Sequence, residues 1–430
     1  MRPDSESPCV VLPWELTGST VALRYSVAGT IFTERIEFDT AFDLTPPRRT
    51  LLDMLSLAAV VSYAKAFAPI DIDASAYSLT EAQIEVMESL YDHGMREFAA
   101  HNSLAYEPMF TLHGHGTRNS EAPTPPHQKN KLLIPMGGGR DSSVVATALC
   151  ALKPVLLSIG QNPYVEDIAQ RLSLPLHTVT RHIDAQLLAL NTQGALNGHV
   201  PVTAINSLIS LLAADVHGCG HVVMANEKSS SEPTRIVDGY NINHQYSKSF
   251  DFERLMRSAL VSSGIPINYF SALRDRNDDE IARAFAHSCS PLHTAFMSCN
   301  KAMLRDVERR SDRWCNNCPK CRSVFLTLAP HLSPARLTEI FGKDLLDDVS
   351  QVSGFTDLVD IDNKPFECVG EIESARNALT TLLASSAWKH HVVVASIGQI
   401  SPVTPVTPTM EQPHFVPEDI HQLVAQVFTP

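Results

Sequence analysis
Lys131–Leu149 constrains this chain more than any other stretch. Its residues run Lys-Leu-Leu-Ile-Pro-Met, then Gly137-Gly138-Gly139, then Arg140-Asp141-Ser142-Ser143 and an apolar helical pattern. The order predicts a buried strand over 131–136, a turn of three glycines, and a helix over 142–152. A strand that enters a helix through glycines makes an anion site. Glycines admit a close approach of the backbone, and the free N–H groups of the first helical turn point at the anion with the helix dipole behind them. Arg140 adds a fork of donors, and Ser142 offers a hydroxyl that can cap the helix. The stretch lacks both the Gly-Lys-Ser/Thr ending of a Walker loop and the Gly-x-Gly-x-x-Gly of dinucleotide sites. The competing reading is a glycine turn that joins strand to helix and holds no ligand.

The alternation continues downstream. Residues 155–159 and 176–180 read as strands, 164–172 and 202–217 as helices, and 222–225 as a further strand. Short β-branched strands between helices specify an α/β fold with a doubly wound parallel sheet, whose ligands sit at the C-terminal strand ends. The glycine loop, Ser158-Ile159-Gly160 and Ala225-Asn226-Glu227 all fall at such ends. Residues 1–112 read as a small N-terminal α+β domain, with a β-hairpin (20–26 and 31–38) and helices over 51–67 and 80–102. The Gly-, Pro- and His-rich residues 113–129 read as a linker, and 130–250 as the α/β domain of the glycine loop. Residues 251–395 read as mainly helical and carry a cysteine cluster. The Pro/Thr-rich tail, 396–430, reads as disordered with a short amphipathic piece at its end.

Charge and composition narrow the partners. A net charge of −13 over 430 residues argues against a broad nucleic-acid footprint, and leaves room for a small anion held by local dipoles. No run of about 18 apolar residues is evident, so no membrane span is expected. The acidic first residues, Met-Arg-Pro-Asp-Ser-Glu, do not read as a secretion signal, and a cytoplasmic location is the expectation.

Cys315, Cys318 and Cys321 recur at intervals of three, which aims thiolates at one tetrahedral metal, and Cys299 is the nearest fourth ligand. Four thiolates leave no open position for water, so such a zinc is structural. Reduced thiols or an iron–sulfur cluster are the alternatives. Two polar blocks stand out: 226–232 follows a strand end, and 243–249, polar and aromatic together, lies downstream. Lys248 and Glu227 there are the groups that a site handling a carboxylate and an acidic proton needs. Both blocks also read as solvated loops. Cys368 reads as a buried thiol or a proton-transfer group.

Gly137-Gly-Gly-Arg-Asp-Ser142 resembles the PP-loop of the ATP pyrophosphatases, with Gly137 where serine is frequent. The cysteine layout resembles the zinc knuckle of the queuosine-precursor branch of those enzymes. Together with Asn226-Glu-Lys-Ser-Ser230, Asn243-His-Gln-Tyr-Ser-Lys-Ser249, Trp314–Cys321 and Pro365-Phe-Glu-Cys-Val-Gly370, the chain resembles one family. These are the ATP-dependent UDP-N-acetylmuramoyl-L-alanyl-L-glutamate epimerases (MurL) of bacterial peptidoglycan synthesis. The resemblance implies a PP-loop fold, ATP and Mg²⁺, and inversion of the terminal L-glutamate through an acyl-adenylate, with release of AMP and pyrophosphate. It implies that Gly137, Gly138, Gly139, Arg140, Asp141 and Ser142 hold pyrophosphate, that Ser158 and Gly160 touch the nucleotide, that Arg140, Asp141, Glu227 and Lys248 serve the chemistry, and that Cys299, Cys315, Cys318 and Cys321 hold zinc. Glu227, His244, Tyr246 and Cys368 are the candidates for proton transfer. A PP-loop adenylating ligase or base-modifying enzyme is the second reading, and an ATP-binding sensor without chemistry the third.

Overall fold
The computed structural model describes residues 8–106, 109–120, 131–303, 310–360, 365, 367, 369–400 and 413–429. Ten strands among them join in one sheet: Cys9–Thr17 (β1), Thr20–Val27 (β2), Thr30–Phe38 (β3), Ile70–Asp73 (β4), Phe110–His113 (β5), Leu132–Met136 (β6), Val155–Ile159 (β7), Leu176–His182 (β8), His221–Glu227 (β9) and Asn268–Leu273 (β10). Their order is β10-β9-β6-β7-β8-β3-β2-β1-β4-β5. Strands β10 through β8 are parallel, as are β1, β4 and β5, whereas β8, β3, β2 and β1 pair antiparallel. The result is a mixed α/β fold around a large, mostly parallel sheet.

Alternation along β6 explains its burial on both faces. Leu132, Ile134 and Met136 enter one apolar core and Leu133 enters the other. Helix α4 (Arg140–Ala148) packs into the first core through Val144 and Val145, and α6 (Val202–Val216) into the second through Leu208 and Leu212. The chain runs β6-β7-β8 to one side and then crosses to β9 and β10, so the direction of winding reverses between β6 and β9. Such a reversal leaves a crevice at the C-terminal strand ends.

The hairpin of the first segment does not stand apart. β3 pairs with β8, Val179 opposite Phe38, and this continues one sheet across the expected linker. Glu34 on β3 and Arg181 on β8 form a buried two-pronged pair across that seam, at 2.5 and 3.1 Å. Strand β1 has no clear strand pattern in the sequence. Pro13 interrupts its alternation, and the pairing shifts between Leu12 and Glu15, a bulge that accommodates a residue without an N–H.

Other expectations are refined. The helix anticipated over 80–102 divides into α2 (Glu81–Asp92) and α3 (Arg96–His101), with Gly94 in the break. The linker begins inside structure, because β5 ends at His113 and a two-residue strand pairs Gly116–Thr117 with Ser78–Leu79. Its remainder, 121–129, and the Pro/Thr stretch 401–408 lie outside the described residues. The helical region includes strand β10, and the tail ends in a helix, Glu418–Gln426. The continuous turn-by-turn run Pro46–Phe67 is long and apolar enough to cross a membrane, but 89% of its apolar window is buried in the protein, as in a core helix.

Candidate active site and cysteine knuckle
At the reversal point, a cleft of about 690 Å³ opens over the C-terminal ends of β6, β7 and β9. Its head is the glycine turn. Gly138 takes φ +79°, a left-handed conformation that costs a residue with a Cβ about 1–2 kcal/mol, and Gly139 is the N-cap of α4 without a side-chain cap. In the first turn the Arg140 N–H donates to Ser298 Oγ at 3.4 Å, and the N–H groups of Asp141 and Ser142 stand where a helix start lacks intrahelical acceptors. Ser142 does not cap the helix. Its hydroxyl and that of Ser143 donate to the Gly139 carbonyl, at 3.4 and 2.7 Å, because Ser142 stands three residues inside.

Two neighbours fix the turn. The Met297 N–H donates to the Gly138 carbonyl at 2.7 Å, and Asn162 Nδ2 to the Gly137 carbonyl at 3.3 Å. A Cβ on Gly139 would lie 3.0 Å from Ser298 Oγ, so the wall at 297–298 is as close as glycine permits.

Arg140 lines the cleft, and its guanidinium also pairs with three protein side chains. Its Nε donates to Asp141 at 2.9 Å and Nη1 to Thr327 at 3.0 Å, while Nη2 binds Asp278. The side chain is 3% exposed. Burial opposes its charge, but Asp278 and Asp141 more than restore it and hold it firmly protonated. Burial likewise pushes Asp141 up, and Arg140, Lys320 and Lys248 bring its carboxyl below the ordinary value. Asp141, Lys248 and Lys320 all line the cleft. Lys320 escaped the sequence reading because it stands within the cysteine cluster, where thiols dominated the pattern.

Ser158 lies near the end of β7, and Gly160 follows the strand. The Ser158 hydroxyl is turned to the Gly160 carbonyl at 2.7 Å, and Gly160 lines an adjoining hollow of about 530 Å³ that shares Ile159 and Asn206 with the cleft. Glu227 sits behind the wall. It accepts from the Ser229 N–H at 2.6 Å and hydroxyl at 2.5 Å. Burial first, then the charge of Asp278, raises its carboxyl to about 7. Arg274, fully buried, ties this strand end to the second polar block by donating to the Glu227 carbonyl at 3.2 Å and the Lys248 carbonyl at 2.7 Å. Sequence alone gave no signal for Arg274. His244 lines the cleft, whereas Tyr246 lies in a separate hollow with Ser89 and His93. Cys368 lies outside the described residues.

The four cysteines come together, their sulfurs within 4.8 Å of one another. Cys318 and Cys321 sulfurs are 3.4 Å apart, and Cys315 and Cys321 3.8 Å. A tetrahedron with metal–sulfur bonds of about 2.3 Å has edges of roughly 3.8 Å, so the cluster is able to hold a metal ion. The N–H groups of Cys315 and Cys321 donate to the sulfurs of Cys299 and Cys318, each at 3.4 Å, which favours thiolate. Donation from the Cys318 and Cys321 thiols holds Cys299 well below the usual thiol range. Cys299 also lines the cleft beside Ser298, so the knuckle braces the wall against the glycine turn.

Residues 14–272 match the MurL N-terminal domain model and 295–411 the MurL C-terminal domain model. The chain belongs to the MurL family. Among similar proteins is the UDP-N-acetyl-alpha-D-muramoyl-L-alanyl-L-glutamate epimerase of Salinispora tropica, 40% identical over 362 residues, or 82% of this chain and 78% of that one. Proteins of the same name from a Micromonospora species and from Xanthomonas oryzae pv. oryzae are 38% and 37% identical, covering 87% and 80% of this chain and 83% and 76% of theirs. The match to the MurL N-terminal model starts within β1 and ends within β10.

Proposed function
We propose that this chain is an ATP-dependent epimerase that inverts the terminal L-glutamate of UDP-N-acetylmuramoyl-L-alanyl-L-glutamate during peptidoglycan precursor synthesis, on a PP-loop fold. The observation that carries the reading is the glycine turn heading a cleft with Asp141, Lys248 and Lys320 on its walls, in a chain whose relatives bear that epimerase name across 80–87% of its length.

The chemistry explains the demand for ATP. The α-proton beside a free carboxylate resists removal because the new negative charge adds to an existing one. In the proposed sequence the carboxylate oxygen attacks the α-phosphorus of ATP, and the bond from that phosphorus to pyrophosphate breaks. A proton then leaves the α-carbon, another arrives on the opposite face, and water cleaves the acyl–oxygen bond to give D-glutamate and AMP. Gly137–Gly139 and the first turn of α4, through Ser142, would hold pyrophosphate, with Lys248 and Lys320 offsetting its charge. Ser158 and Gly160 would lie on the nucleotide side. Asp141 is the lining carboxylate that would hold Mg²⁺, which supplies further charge neutralisation when bound. Arg140 would act by holding Asp141 and Asp278 in place. Glu227, poised near neutrality behind the wall, would tune the field around Asp141. The four-cysteine knuckle would hold a structural zinc.

The test is incubation with the muramoyl dipeptide, ATP and Mg²⁺, followed by measurement of AMP and of glutamate chirality. Stoichiometric AMP with D-glutamate is expected. Substrate-dependent AMP with unchanged L-glutamate would favour a ligase, and no ATP consumption would favour a sensor.

A further inference from the structure
An inversion needs a group that takes the α-proton, and the cleft offers one imidazole. Of the four proton-transfer candidates, Glu227 is walled in, Tyr246 faces another hollow, and Cys368 is outside the described residues. Of these, His244 lines the cleft, as does Lys248.

Its ring is oriented from the other end of the sequence. His244 Nδ1 lies 2.5 Å from Glu97 Oε2, on α3 of the N-terminal segment. A carboxylate only accepts, so Nδ1 carries the proton and Nε2 is the basic nitrogen. Both side chains are mostly buried, at 18% and 13% exposure. His199 packs on the same ring at a centroid distance of 4.6 Å. It precedes α6, whose Thr203 and Asn206 line the cleft. Burial lowers its pKa to about 4, so His199 adds an uncharged wall and not a competing cation.

We propose that His244 exchanges the α-proton of the substrate glutamate on one face, and that Glu97 is its positioning residue. The proposal rests on the acyl-adenylate reading above. His244 Nε2 takes the proton while the C–H electron pair moves into the enolate of the activated acyl group. The resulting imidazolium sits against Glu97, and its proton leaves to solvent. A proton derived from solvent returns to the opposite face of the carbon, so atoms and charge balance.

The experiment follows two exchanges in parallel in heavy water with dipeptide, ATP and Mg²⁺: deuterium entering the glutamate α-carbon, and pyrophosphate exchanging into ATP. In His244→Asn the first is expected to fall at least about 100-fold more than the second. Glu97→Gln should lower kcat more than tenfold with little change in KM, and Glu97→Asp should recover part of that loss. Near-normal deuteration by His244→Asn would overturn the proposal. So would equal losses of both exchanges in His244→Asn and Glu97→Gln. Glu97, His199 and His244 also lie within metal-sharing distance, and a second equivalent of metal lost in His244→Asn would replace the dyad and overturn it. Absence of pyrophosphate exchange in the unmodified protein would instead remove the adenylate reading itself.

Discussion

Glu34→Gln is the perturbation that most directly tests the continuous sheet. Glu34 is fully buried and Arg181 is 7% exposed, and their two contacts, 2.5 and 3.1 Å, cross the seam between β3 and β8. At an effective dielectric constant of about 20, opposite charges at 2.5 Å attract by roughly 7 kcal/mol before desolvation. Desolvation cancels much of that, so the pair as a whole adds little over an apolar pair of equal volume. Removing one charge is another matter, because Arg181 then remains a buried cation whose acceptors, the amide oxygen of the substituted side chain and the Ser62 hydroxyl at 3.2 Å, are both neutral. Such deletions cost about 3–5 kcal/mol, a large share of a stability of about 5–15 kcal/mol. Urea unfolding followed by circular dichroism should show this as a marked fall in midpoint, and Glu34→Leu combined with Arg181→Met should recover most of it. A loss under about 1 kcal/mol for Glu34→Gln, or a double variant as unstable as the single one, would refute the reasoning.

Three further outcomes follow from the site. Gly138→Ala places a Cβ at φ +79° and 3.4 Å from Asn162 and Tyr164; it should weaken ATP binding about tenfold, read by titration calorimetry, with the overall fold retained by circular dichroism. Cys318→Ser should abolish the binding of about one zinc per chain, seen by metal analysis, and weaken ATP binding because Cys299 and Ser298 brace the glycine turn; unchanged ATP affinity in metal-free protein would break that link. Glu227 gives a pH signature. Its folded value of about 7 exceeds its ordinary 4.5, so its contribution is fully present below about pH 4.5 and is lost as pH rises through about 7. The thermal midpoint should therefore fall across that window by the equivalent of about 3 kcal/mol, and Glu227→Gln should flatten the slope.

Local pattern carried the sequence reading where one periodicity dominated. The apolar run Leu132–Met136, the glycine turn and the cysteine spacing each specify their structure over a few residues, because strand alternation, positive φ and ligand spacing are short-range properties. Local pattern says less where the decisive partner is distant. Arg140 reads as a phosphate donor and lines the cleft, but nothing in its neighbourhood hints that it also pairs with Asp278, 138 positions away. Strand β1 was hidden by Pro13, and β10 by its helical surroundings.

Adjacent residues specify a strand that meets a helix through Gly137–Gly139, the α/β alternation that follows, and cysteines spaced for one metal. Tertiary structure alone decided that β3 joins β8 in one sheet, that Arg140 faces carboxylates, and that Glu97 reaches His244. The physical reason is that turn geometry and burial patterns are written in adjacent residues, whereas pairing between charges 147 positions apart exists only after the sheet has closed the distance.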